Sequence, residues 1–141
     1  MPRSIALVLL PLVLGACTPL HTPRTSTARD QEALASTAEL FWRSLRWSDF
    51  DAASAVLAEP EPRLAFLERW AATPPVQITD YEIVHIELVP EPTERPEGLV
   101  VIKVERIPVG SAVVGIDMIR QTWYREVEHW YLDPGSVPYA E

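Results

Sequence analysis

Apolar positions recur at helical spacing through the first half of the chain and alternate with polar ones through the second. Leu34, Ala38, Phe41 and Leu45 fall on one helical stripe with Trp42 beside them, which predicts an amphipathic helix from about Arg29 to Trp47. Thr27-Ala28-Arg29-Asp30 at its start is a capping-box pattern. Ser48 with Asp51 opens a short second helix through Ala52, Ala55, Val56 and Leu57. Pro60 and Pro62 are expected to end it, since each removes a backbone donor and biases the preceding residue away from helix. A third helix is expected near Arg63 to Ala72, with Leu64, Leu67, Trp70 and Ala71 on one side and Thr73-Pro74-Pro75 as its stop.

From Val76 the period becomes that of strands. Residues 76–88, VQITDYEIVHIEL, are rich in β-branched side chains, and their parity slips around Asp80 to Glu82, which predicts a bulge. Residues 89–98 read as a proline-rich acidic loop. Leu99 to Ile107 reads as a strand with Val100, Ile102 and Val104 on one face and Lys103 and Glu105 on the other. Pro108 to Gly110 turns the chain, Ala112 to Arg125 forms a long strand, and Trp130 to Asp133 a short one. Helices first and antiparallel strands after predict an α+β domain, with helices packed on one face of a curved sheet. It is expected to span 30–133, followed by a C-terminal tail, 134–141.

The N-terminus carries a different signal. Arg3 precedes the apolar run Ile5 to Leu14, which has the form of a secretory signal and is too short to span a bilayer. Leu14-Gly15-Ala16-Cys17 resembles the lipobox of bacterial lipoproteins. The resemblance implies cleavage between Ala16 and Cys17, with the Cys17 thiol taking a diacylglyceryl group and Cys17 acylated, palmitate among its chains. The other reading is an incidental thiol in an ordinary signal peptide. Thr18 follows the cysteine where an aspartate would resemble an inner-membrane retention mark, so the resemblance points to the outer membrane, facing the periplasm. Residues 1–16 are then a signal peptide, and 17–29 the lipidated cysteine with a tether carrying Pro19, Pro23, His21 and four threonines.

Composition narrows the partners. The chain has 141 residues, 48% of them hydrophobic, so it is long enough for one cored domain. Twelve Lys and Arg face twenty Asp and Glu, a net charge of -8, and phosphate backbones are unsuitable partners for a chain that acidic. Lys103 is the sole lysine, so no polybasic patch for anionic lipid is expected. Cys17 is the sole cysteine, which excludes an intramolecular disulfide.

Trp47-Ser48-Asp49-Phe50-Asp51-Ala52-Ala53 after an amphipathic helix resembles a junction of the nuclear transport factor two-like, or ketosteroid-isomerase-like, superfamily. Gln121-Thr122-Trp123-Tyr124-Arg125-Glu126 and His129-Trp130-Tyr131-Leu132 resemble its closing hairpin. The likeness covers roughly residues 29 to 133. It implies a cystatin-type cone whose cavity serves catalysis, binding or neither, so fold leaves function open.

Asp80, His85, Asp117 and Tyr124 are the obvious candidates for a polar dyad inside such a cone. In the strand from Ala112 the even positions are the more apolar and are expected to face inward. That makes Arg120, Thr122 and Tyr124 a candidate pocket lining. The odd positions then place Asp117 and Trp123 outward, an exposed aromatic ringed by polar groups, as a candidate interaction surface. His85 is expected on the outer face, and Trp42, Trp70 and Trp130 in the core. His21, His85 and His129 are scattered, no glycine-rich loop is present, and Ser48, Ser54 and Ser111 lack a histidine and acid at triad spacing. No metal, cofactor or catalytic set is expected.

The combined expectation is a non-enzymatic outer-membrane lipoprotein, held to the membrane by its lipid. It would act as an accessory or assembly factor through contact with an envelope protein or as a homodimer. The alternative is small-molecule binding or isomerase-like activity in the cone, with Arg120, Thr122 and Tyr124 as polar contacts.

Overall fold

The computed structural model describes residues 26–90 and 95–140. Three helices, α1 (Ser26–Arg46), α2 (Phe50–Ser54) and α3 (Pro60–Ala72), precede four strands, β1 (Val76–Leu88), β2 (Glu97–Pro108), β3 (Gly115–Glu126) and β4 (His129–Leu132). The strands form an antiparallel meander in the order β1-β2-β3-β4, an open sheet with the helices on one face. The chain is therefore α+β.

Residues with short polar side chains set the element boundaries. Asp49, rather than Ser48, caps α2: its Oδ1 accepts the Ala52 N–H at 3.1 Å, while Ser48 takes the left-handed conformation that turns the chain out of α1. Pro60 and Pro62 do not terminate a helix. They lie in the first turn of α3, where a missing N–H breaks no intrahelical bond. Helix α1 starts three residues earlier than the capping pattern implied, at Ser26. Strand β1 carries two register shifts against β2, at Ile78/Asp80 and Ile83/His85, where one bulge was expected.

The core lies between α1 and the sheet. Leu34, Ala38, Phe41, Trp42 and Leu45 from α1 meet Val100, Ile102 and Val104 from β2, with Trp70 and Phe66 of α3 closing one side. Helix and sheet approach closely at Gly98, where a Cβ would collide with the Leu34 side chain. Residues 134–140 are no free tail. Asp133 opens a 3₁₀ turn over Pro134–Ser136, and Tyr139 then packs its ring edge-on to Trp70, 6.3 Å between centroids.

Candidate functional site

Strand β3 presents the reverse of the expected parity. Trp123 and Gln121 are fully buried and Ile119 packs against the core, whereas Ile116 and Met118 are 59% and 60% exposed. The reason is size. The space between β3 and α1 takes the Trp123 indole, set edge-on to Phe41 at 6.2 Å, and the larger burial decides which face turns inward. Trp123 is thus no interaction surface, and Arg120 and Thr122 are exposed on the outer face rather than lining an interior.

Tyr124 is buried on that outer face. The Arg95 guanidinium lies 3.6 Å above its ring and Tyr131 packs 5.9 Å away. This burial pushes its hydroxyl up from the usual tyrosine range, with the nearby Glu126 charge adding to the effect. The three candidate pocket residues therefore do not converge on a cavity.

Asp117 turns inward instead. It takes two hydrogen bonds from Arg106, from Nε at 2.6 Å and Nη2 at 3.1 Å, and one from the Tyr139 hydroxyl at 2.8 Å. The Arg106 bonds hold the Asp117 carboxyl below the usual carboxylate range. Burial first, and the bond to Asp117 next, push Tyr139 up. Every acceptor lobe used here is satisfied by protein, so the cluster is a clasp joining β2, β3 and the C-terminal segment. Of the other candidates, Asp80 pairs with Arg46 at 3.1 Å in solvent and His85 is exposed beside Glu87 at 3.4 Å. Ala16 and Cys17 lie outside the described residues.

Gln121 is a second inward polar residue that strand parity missed. Its Oε1 accepts the Trp42 indole N–H at 3.0 Å, and its Nε2 is, among the described residues, one of four buried donors without a partner, with the Nε1 atoms of Trp70, Trp123 and Trp130. The interior beside it is filled by Trp42, Trp123, Phe41, Leu34, Leu57 and Ile102. Concavities lie at the periphery. One of about 340 Å³ sits between α3 and the C-terminal segment, walled by Phe66, Trp70 and Val137. Another of about 370 Å³ sits where Arg46 and Ser48 meet Pro108 and Ser111. Among the described residues no group of three His, Cys, Asp or Glu side chains is placed to hold a metal ion, and no helix is long and apolar enough to cross a membrane.

Both ends of the sheet expose apolar side chains, Val127 in the β3–β4 turn at one, and a group that includes a tryptophan at the other. Thr27 and Asp30 of α1 share a concavity with Leu88, Pro90 and Glu97, so α1 begins at the β1–β2 end. Its 21 residues carry it about 30 Å to the opposite end, where Arg46 meets the β2–β3 connection. That far end exposes Trp47 (76%), Val109 (62%) and Val113 (71%).

No family model matches the chain. No curated protein matches it either. A solved structure similar to it is the solution structure of a SEC-C motif containing protein from Rhodopseudomonas palustris, at 13% identity and a TM-score of 0.44, covering 76% of this chain and 80% of that one. A likeness of that size bears on neither function nor the finer fold.

Proposed function

We propose that this chain is a bacterial outer-membrane lipoprotein, anchored through acylated Cys17, that works by protein–protein contact in the envelope rather than by catalysis. The observation that carries the contact reading is the gathering of Trp47, Val109 and Val113 at one end of the sheet, about 30 Å from the end where the chain leaving Cys17 enters α1. A surface meant for the anchoring membrane would lie beside the tether. A tip at the far end faces the periplasm, and an exposed tryptophan at the same end as two exposed valines suits an interface centre. The filled interior supports a non-catalytic role, because a small-molecule site needs open volume with converging polar groups. The helices-first order and the two register shifts of β1, which curve a sheet, support a cystatin-type cone of the nuclear transport factor two-like kind.

Two experiments test this reading. A labelled fatty acid fed to cells is expected to mark the full chain, and Cys17→Ser to abolish the mark; an unmarked wild-type chain overturns the anchor. A photo-crosslinking residue at position 47 or 113 is expected to trap the same envelope protein. The same residue at 87, exposed at the tether end, should trap none. Equal capture from all three positions overturns the tip.

A further inference from the structure

Strand β4 covers only the last third of β3. The pairing runs from Trp123↔Leu132 to Glu126↔His129, and Thr122 spends its C=O on the Asp133 N–H and its N–H on Ser136 Oγ. Both Thr122 groups therefore point away from β2. No register shift interrupts β2–β3 pairing, so by alternation the N–H and C=O groups of Ile116, Met118 and Arg120 point the same way. No described strand pairs with them there. Gly115 to Gln121 is thus an open ledge seven residues long, closed at one end by Thr122 and at the other by the start of the strand, with Met118 at its midpoint.

The ledge contains no proline, no lysine and no bulge to block an added strand, and its charges are the exposed Arg120 and the inward Asp117. Asp117, its inward-facing carboxylate, is clasped by Arg106 and Tyr139. Its outer face shows exposed Ile116 and Met118. We infer that the ledge is filled by the same ledge of a second copy, antiparallel about a two-fold axis at Met118, so that two sheets become one. This goes beyond the contact role proposed for the tip and does not depend on it.

The sequence selects that register. Centred on Met118, Met118 faces Met118, Ile116 faces Arg120 and Asp117 faces Ile119, so no like charges meet, and about six backbone hydrogen bonds form. The Arg120 of each copy crosses Ile116 toward Glu105, which is paired with Ile116 on β2 and shares its face. Centring on Asp117 would oppose two aspartates. Centring on Ile119 would set Ile116 against Thr122, whose backbone groups are already bonded. A slip by half a step would point bonded groups at unbonded ones.

The test uses the full-length chain carrying Cys17→Ser, which leaves no other thiol. Added Met118→Cys is expected to give a disulfide dimer on mild oxidation, since hydrogen-bonded partners stand about 5.5 Å apart at Cα, within disulfide range. Ile116→Cys should crosslink to itself at least about fivefold less, but readily to a differently tagged Arg120→Cys chain, as the register requires. Sedimentation of the same chain without added cysteine should give twice the protomer mass, and Met118→Pro the single mass with unchanged circular dichroism. That proline removes an N–H facing the open edge, which the β2 ladder does not use. A monomer whose Met118→Cys thiol stays free overturns the inference, including the case in which an extended peptide of another protein occupies the ledge. Equal crosslinking at 116 and 118 overturns the register, and unfolding of Met118→Pro overturns the assigned direction of the Met118 N–H.

Discussion

The indole of Trp42 and the amide of Gln121, 79 residues apart in the chain, share one buried hydrogen bond of 3.0 Å that ties α1 to β3. The Gln121 Nε2 has no partner, so the pair is half satisfied. Trp42→Phe is expected to cost about 2–3 kcal/mol, from lost volume and a stranded acceptor. Gln121→Leu strands the indole donor but removes an unpartnered one, and should cost only about 1 kcal/mol. The double variant should cost at least about 0.5 kcal/mol less than the sum. Urea unfolding of the four proteins measures the coupling, and strict additivity would show that the bond contributes nothing.

Asp117 predicts the acid limb of stability. The Arg106 bonds depress its folded pKa, so the carboxylate is favoured by folding. That contribution is complete above the ordinary carboxylate range and is lost as the pH falls below about 4. Asp117 stays 29% exposed, and solvent screening limits the expected cost of Asp117→Asn at neutral pH to about 1 kcal/mol. The variant should also lose stability less steeply below pH ~4 than the parent. Parallel acid profiles would contradict the assignment.

Tyr81 predicts the alkaline limb. Burial, reinforced by its 2.6 Å hydrogen bond to Glu39, pushes its hydroxyl up to about 12 from 10.0. The neutral phenol is thus favoured by folding, and its contribution is full below pH ~10 and lost as the pH rises to ~12. Absorbance titration of tyrosinate should show a late-ionising group that Tyr81→Phe removes, together with a shallower alkaline loss of stability. A variant titrating like the parent would contradict it.

Val127, in the two-residue turn between β3 and β4, sits at φ 57° and is 91% exposed. A β-branched residue is disfavoured there, and nothing is buried in return. Val127→Gly is expected to stabilise the domain by about 0.5–1 kcal/mol, less than the full strain because glycine also loosens the unfolded chain. A lower melting temperature would show that Val127 is held by contacts outweighing its strain.

The α1 stripe from Leu34 to Leu45 and the Val100, Ile102, Val104 face of β2 were legible because each has one plainly apolar side, and both are buried as their periods imply. Strand β3 was not, since its faces are nearly matched in apolar content. Ile116 and Met118 oppose Ile119 and Trp123, and the outcome rests on which side chain fills the gap against Phe41, a tertiary fact. Gln121 was hidden for the same reason: its acceptor role needs Trp42 from a distant helix. The fixing of Tyr139 rests on Asp117, Trp70 and an Arg69 bond to its carbonyl, partners that no local pattern links to a C-terminal tyrosine.

Of the five tryptophans, four are sealed within the fold and Trp47 stands in solvent. A dissolved collisional quencher such as iodide would therefore reach a single indole, and the emission it removes would come from the tip alone. The molecule carries its own unlabelled optical gauge: whatever covers Trp47 would shield that fraction of the light, while the other four indoles go on reporting the integrity of the domain.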